Sequence, residues 1–356
     1  MPPTPAPPRG RIALPCSTGA AFASAGDVTI GRREFARQFG AALAGLGAVA
    51  VGAQPAARVY RVGFFAGTAT ADGKAPQPLR KALDALGFVE GRNVVYEARF
   101  SGGRAERLPP LVAELLAQKL DVLVVGGGPP GAAARQATAS IPIVAVNSGD
   151  LVETGMVASL ARPGGNITGV NDPAALLSTK RLEILRELVP GARRVAVLWN
   201  AGDQAMTLRF REIERAAQLL RVAIDALPVR EPDDFDVALV AMDRARPDAL
   251  MMVTDALTTL NRQRVVDYAA ARRIPAMYEV GAVVRAGGLM SYGADAADSF
   301  KLAAEYVAKI LRGVKPADLP VEQPNRYVFI VNMKTIRSLG LVVPQSLLLR
   351  ADEVIE

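Results

Sequence analysis

The chain contains no histidine. That absence removes Ser-His-Asp and Cys-His catalysis and the commonest ligand of transition metals. Its one cysteine, Cys16, lies near the start, so the rest of the chain has no thiol nucleophile, no disulfide and no thiolate metal site. A lipoprotein cysteine would follow an apolar run, and Cys16 precedes the one described next. Beyond residue 53 no uninterrupted apolar run reaches the roughly 20 residues that span a bilayer. No basic stripe is present either: Arg209-Phe210-Arg211-Glu212-Ile213-Glu214-Arg215 alternates sign and reads as a solvated helix face. The pattern therefore implies no nucleic-acid partner.

What is present begins with an address. Arg32 and Arg33 precede Glu34-Phe35 and a Gly/Ala-rich apolar run over 39–53 that ends in Val51-Gly52-Ala53. A charged start, an uncharged stretch and small residues form the layout of a bacterial export signal. The expectation is export through residues 31–53, cleavage near Ala53 and a periplasmic protein. Twin arginines point to the Tat route; Gly31 and Ala36 are not its usual flanks, so Sec stays open. An uncleaved anchor and a short core helix are the competing readings. Residues 1–30 are Pro/Ala/Gly-rich without period and read as disordered or as a mis-assigned start. Val28 is the candidate true start.

Of the 356 residues, 50% are hydrophobic and the net charge is +7. Arg9, Arg11, Arg32, Arg33 and Arg37 outnumber Asp27 and Glu34 in the first 53 residues, so removing them moderates the excess. The remainder is long enough for one large domain or two lobes.

Strand and helix signals alternate through that remainder. Strands are predicted at 60–65, 94–99, 122–125 and 143–146, with helices at 77–86, 108–118 and 132–139 between them. The order then repeats, with strands at 195–199, 222–227, 249–253 and 276–278 and helices at 207–220, 235–243 and 262–272. Such βα repetition implies parallel sheets covered on both faces. The fold class is α/β, with two similar doubly wound parallel-sheet lobes. Lobe 1 is expected over 59–175 plus part of 292–325, and lobe 2 over 178–290 plus part of 326–356. The tail reads as a helix at 300–311, extended segments at 321–324 and 327–331, and a helix at 333–339. A multi-strand hinge is expected, with crossings near 173–178, 287–292 and 322–327.

Polar groups gather where strands end, which is where α/β folds bind ligands. Gly67 and Thr68 follow the first strand. Gly126-Gly127-Gly128-Pro129-Pro130-Gly131 follows the third and opens a helix. Free N–H groups there attract a carboxylate, so Gly127 and Gly128 are candidate contacts, and Pro130 in the same turn is a further candidate site residue. The run fits neither the P-loop nor the dinucleotide fingerprint. Asn147 and Asp150 follow the fourth strand. In the second half the candidates are Asn200, Asp255, Tyr278, Glu279 and Tyr292, while Asp203 reads as an N-cap. Opposed carboxylates suit an ammonium group, and Tyr278 or Tyr292 offers a stacking face. Each residue alone also reads as a cap or a turn.

Longer segments carry a resemblance. They are Ala161-Arg162-Pro163-Gly164-Gly165-Asn166-Ile167-Thr168-Gly169, Leu188-Val189-Pro190-Gly191, Val195-Ala196-Val197-Leu198-Trp199-Asn200, Gly287-Gly288-Leu289-Met290-Ser291-Tyr292-Gly293 and 315–324. Together with the terminal Ala351-Asp352-Glu353-Val354-Ile355-Glu356 they resemble the ABC-transporter substrate-binding protein family that includes tryptophan- and tyrosine-binding members. The resemblance runs from about Val59 to the end. It implies a type I periplasmic-binding fold and a small molecule clamped between lobes. It also implies an ABC permease and its ATPase as partners, no cofactor, no catalysis and a monomeric receptor. Two positions depart from the family pattern: Gly128 stands where a hydroxyl residue often binds a ligand carboxylate, and Leu151 follows Asp150 in place of proline. Asp255 matches the family's acidic residue in the second lobe, which implies an amine-bearing ligand. Two alternatives remain beside a receptor for an importer. One is an exported sensor serving a signalling partner. The other is an enzyme working with carboxylates such as Asp150 and Asp255.

Overall fold

The computed structural model describes residues 58–173 and 176–356. The expected signal at 31–53 and the segment before it lie outside the described residues.

Two sheets organise the chain. The first has the order β2-β1-β3-β4-β5 and is wholly parallel, built from β1 (Tyr60–Ala66), β2 (Val94–Phe100), β3 (Val122–Gly126), β4 (Ile143–Val146) and β5 (Ile167–Gly169). Its inner strands β3 and β4 are apolar and rich in β-branched residues because both faces are covered. Val62, Phe64 and Val124 point to one face, packed by α1 (Gln77–Ala85) and by a helix from far along the chain, α10 (Ala296–Leu311). Phe65, Leu123 and Val125 point to the other, under α2 (Leu108–Ala117) and α3 (Gly128–Ala137). This alternation is the two-residue period of a strand.

The second sheet has seven strands in the order β12-β11-β10-β9-β8-β6-β7. They are β6 (Arg194–Asn200), β7 (Ala223–Val229), β8 (Ala249–Met252), β9 (Ala276–Tyr278), β10 (Met290–Ala294), β11 (Tyr327–Asn332) and β12 (Glu353–Ile355). Strand β11 runs antiparallel to β10, whereas the other pairings are parallel. One face carries α4 (Leu177–Leu188) and α5 (Gln204–Leu220); the other carries α6 (Asp234–Ala245) and α8 (Arg262–Ala271). The remaining helices are α7 (Ala256–Leu260), α9 (Gly281–Arg285), α11 (Met333–Leu339) and α12 (Gln345–Arg350).

The chain passes between the sheets three times, after β5, after β10 and before β11. The crossings lie side by side. Asn171 N–H donates to the Glu322 carbonyl at 2.8 Å, and Asp295 N–H to the Arg326 carbonyl at 3.2 Å. The second crossing falls at 294–296, later than expected at 287–292, because Met290–Ala294 is itself a strand of the second sheet. The segment at 321–324 forms no strand of a sheet; Glu322 makes one isolated bridge to Val170.

Candidate functional site

The carboxyl ends of both sheets face one cavity of about 460 Å³. That size lies within the roughly 300–1,000 Å³ usual for small-molecule sites. Lobe 1 supplies Phe64, Gly67, Thr68, Gly127, Gly128 and Phe300 among its walls; lobe 2 supplies Asn200, Asp203, Met206, Thr254, Asp255 and Glu279.

The lobes touch around this cavity. A Cβ placed on Gly67 would lie 2.2 Å from the Ala256 Cβ, and one on Gly128 would lie 2.8 and 3.0 Å from the two Asp203 carboxylate oxygens. Glycine at both places lets lobe 1 backbone close onto the starts of α7 and α5.

The floor is a buried ion-pair network. Arg181, 2% exposed, donates to Glu279 Oε1 at 2.7 Å and to the Tyr292 carbonyl at 2.7 Å. Arg209 donates to Glu279 Oε2 at 2.7 Å and to Asp172 Oδ2 at 2.6 Å. The Thr254 N–H adds a bond to Glu279 Oε2 at 3.0 Å. Burial lowers the Arg181 pKa, and Glu279 offsets part of that effect. Burial also works against charged Arg209, but Asp172 and Glu279 outweigh it and raise its pKa. Both guanidinium pKa values are ordinarily so high that both groups stay charged. Asp172 stands on the first crossing, so the network fastens the hinge to lobe 2.

Next to it are two helix caps. Asp255 caps α7 in a capping box: its Oδ1 accepts from the Thr258 N–H at 2.9 Å. Its Oδ2 accepts from Asn200 Nδ2 at 2.6 Å, and Asn200 Oδ1 accepts from the Gly202 N–H at 2.8 Å. Asp203 caps α5, with Oδ1 accepting from the Ala205 N–H at 2.8 Å. Burial, then the nearby Asp255 charge, push the Asp203 pKa up to about 6.

Nine of the twelve candidates read from the sequence line the cavity: Gly67, Thr68, Gly127, Gly128, Pro130, Asn147, Asn200, Asp255 and Glu279. Asp150, Tyr278 and Tyr292 do not. Asp150 Oδ1 closes a turn by accepting from the N–H groups of Val152 and Glu153, and its Oδ2 accepts from Asn171. The acid–base pairing of Asp150 with Asp255 therefore loses its geometry. Tyr278 is a core residue, 1% exposed, and burial raises its pKa. Tyr292 packs against Phe329 at the edge of the lobe 2 core. The aromatic wall comes instead from lobe 1, where Phe64 and Phe300 lie 6.3 Å apart, tilted.

The helix start at Gly128 is a weaker anion trap than its glycines imply. Pro129 and Pro130 have no N–H. The Gly127 N–H donates to the Val146 carbonyl at 3.2 Å and that of Gly131 to the Gly127 carbonyl at 3.1 Å. The first turn thus offers a ligand the Gly128 N–H. Sequence reading missed Arg181, Arg209, Asp172 and the cavity face of Asp203. Arg209 was expected on a solvated face and is 4% exposed.

The sequence model described as "ABC transporter substrate binding protein" matches residues 70–355. The chain belongs to the ABC transporter substrate-binding protein family. A tyrosine-binding protein of Clostridioides difficile is 25% identical over 268 residues, 75% of this chain and 77% of the relative. A conserved domain protein from Vibrio cholerae superposes with a TM-score of 0.78 at 23% identity, over 83% of this chain and 99% of its own. A Streptococcus pneumonia ABC domain in complex with L-Trp gives 0.75 at 22% identity, over 83% and 100%. The two α/β lobes, the second with one antiparallel strand pairing where parallel sheets were expected, and their three crossings are the type I periplasmic-binding fold.

Proposed function

We propose that this substrate-binding protein is an exported receptor that clamps an amino-acid-like small molecule between its lobes and delivers it to an ABC permease and its ATPase. The observation that carries the reading is the cavity itself. It lies where both sheets end, with an apolar aromatic wall from lobe 1 and a charged floor from lobe 2. A ligand bearing a charged head and an apolar side chain matches both walls. The relatives named for tyrosine and crystallised with L-Trp support the same class. A ligand that touches both lobes prefers the closed arrangement and shifts the population toward it.

The Gly128 N–H is the lobe 1 contact offered to a ligand carboxylate, and Gly67, Thr68 and Asn147 line the cavity beside it. Asp255 and Asn200, each engaged by the other, hold the lobe 2 rim in place.

A thermal-shift screen tests this. The protein from Ala57 onward is mixed with each L-amino acid, aromatic acids, short carboxylates and nucleosides. An amino-acid-like ligand raises the melting midpoint in proportion to the logarithm of its concentration over Kd. A response confined to nucleosides sinks the reading.

A further inference from the structure

We infer that Asp203, together with Thr254, forms a subsite for a primary ammonium group of the ligand. This deepens the receptor reading and rests on the cleft being a small-molecule site.

Two residues that line the cavity each carry a buried side-chain atom without a hydrogen-bond partner among the described residues: Asp203 at Oδ2 and Thr254 at Oγ1. Asp203 is 3% exposed. A buried polar group left unpaired costs about 1–3 kcal/mol, more when charged, so two of them in one cavity call for a ligand donor. They stand at the ends of neighbouring strands, since β6 pairs with β8. Asp255, the obvious acid from the sequence, is already occupied. Both of its oxygens accept hydrogen bonds, from Thr258 and Asn200.

Charge points the same way. Arg181 and Arg209 are matched by Glu279 and Asp172. Asp203 and Asp255 face the same space without an ion-pair partner among the described residues. A buried carboxylate with a second, part-buried carboxylate beside it favours a cation between them. Burial first, and then Asp255, hold the Asp203 pKa at about 6, with the Ala205 N–H and Arg209 opposing them. An entering ammonium supplies the missing charge. Gly128 contributes by omission, because any Cβ there would press on the Asp203 oxygens.

The test is calorimetric titration with matched probes at pH 7.5. L-Tyrosine and L-tryptophan are compared with 3-(4-hydroxyphenyl)propanoate and indole-3-propanoate, which lack only the amine. Tyramine and tryptamine, which lack only the carboxylate, complete the set. The expected result is that removing the amine weakens binding by roughly 10- to 100-fold, the scale of a charged hydrogen bond. Asp203→Asn keeps the helix cap and brings each amine and its deaminated partner to similar affinity. Circular dichroism and the unfolding midpoint establish that this variant folds. Deaminated acids that bind wild type as tightly as the amino acids overturn the subsite and leave the receptor reading standing. An amine preference that survives in Asp203→Asn does the same. Silence of every amine in this set and in the wider amino-acid screen overturns both.

Discussion

Glu279 Oε1 receives the Arg181 guanidinium at 2.7 Å, and both side chains are at most 5% exposed. One belongs to the helix that begins just after the first crossing, the other to the end of a central strand of lobe 2. The remaining Glu279 oxygen takes Arg209 at 2.7 Å, which in turn holds Asp172 on the crossing.

Breaking this network is costly. Glu279→Ala leaves two buried guanidinium groups short of a counter-charge, and removing one partner of a buried pair costs about 3–5 kcal/mol. Urea denaturation of the ligand-free protein checks this, and a loss under about 1 kcal/mol counts against a structural role for the network.

Closure depends on Gly67. A side chain there collides with Ala256, and overpacking costs about 1–3 kcal/mol. Gly67→Val therefore weakens the ligand by roughly 5- to 150-fold through the closed state alone. Its ligand-free unfolding midpoint stays near wild type. Small-angle scattering with saturating ligand gives a larger radius for the variant than for wild type. Equal affinity in the two proteins refutes the contact.

Ionised Asp203 opposes folding. Its pKa is about 6 in the folded protein against an ordinary 3.8, so the folded state holds the proton more tightly than the unfolded state. The penalty is absent below the unfolded value, grows as pH rises between the two values and is complete above pH 6. Asp203→Asn removes it. The variant gains on the order of 2–3 kcal/mol over wild type at pH 7.5, and the gap closes toward pH 4. Denaturation at both pH values reads the difference, and a pH-independent gap contradicts it.

Ammonium binding to Asp203 has its own pH signature. The facing groups are Asp255 and Thr254 from the second lobe, the Gly128 main chain across the cleft, and Arg209 on the same helix. An ammonium prefers the ionised carboxylate, so affinity falls as pH drops below about 6 and binding near that pH releases protons. Titrations in buffers of different ionisation enthalpy measure that release. Asp203→Asn abolishes this component.

Tyr278 belongs to the core and not to the cavity. Tyr278→Ala removes a fully buried ring and costs about 3–5 kcal/mol, whereas Tyr278→Phe leaves ligand affinity unchanged. A large affinity loss in Tyr278→Phe, by calorimetry, returns the hydroxyl to the site.

Much of the fold is legible in local pattern. Strands such as Val122–Gly126 are continuous apolar runs, and helices such as Met333–Leu339 begin and end on readable caps. Less legible were β5 and β10. Ile167–Gly169 is three residues long, and Met290–Ala294 mixes Ser, Tyr, Gly and Ala, so neither carries a period. Their strand character comes from neighbours that supply hydrogen bonds.

The site shows the same division. That ligand groups gather after strands is a topological rule, and it placed Gly67, Gly128, Asn200, Asp255 and Glu279 on the cavity. The arginines were hidden by their chemistry. Arg209 sits three residues after Met206 and four before Ile213, and Arg181 three after Ser178 and four before Leu185, all buried. Helical spacing put both on the apolar stripe, and that was the available signal. Charge argued for solvent, and only a counter-ion from elsewhere in the chain reverses that argument.

By itself the sequence determined the two βα repeats, the family, the exclusion of histidine chemistry and, beyond Cys16, of thiol chemistry, because these follow from residue type and short-range period. Tertiary structure decided which polar groups are already satisfied. Asp255 and Asp203 look alike in sequence, each an acid after a strand. Folding brings Asn200 to one and the Gly128 backbone to the other. A hydrogen-bond donor satisfies Asp255, while a glycine without a side chain leaves Asp203 Oδ2 buried without a partner among the described residues.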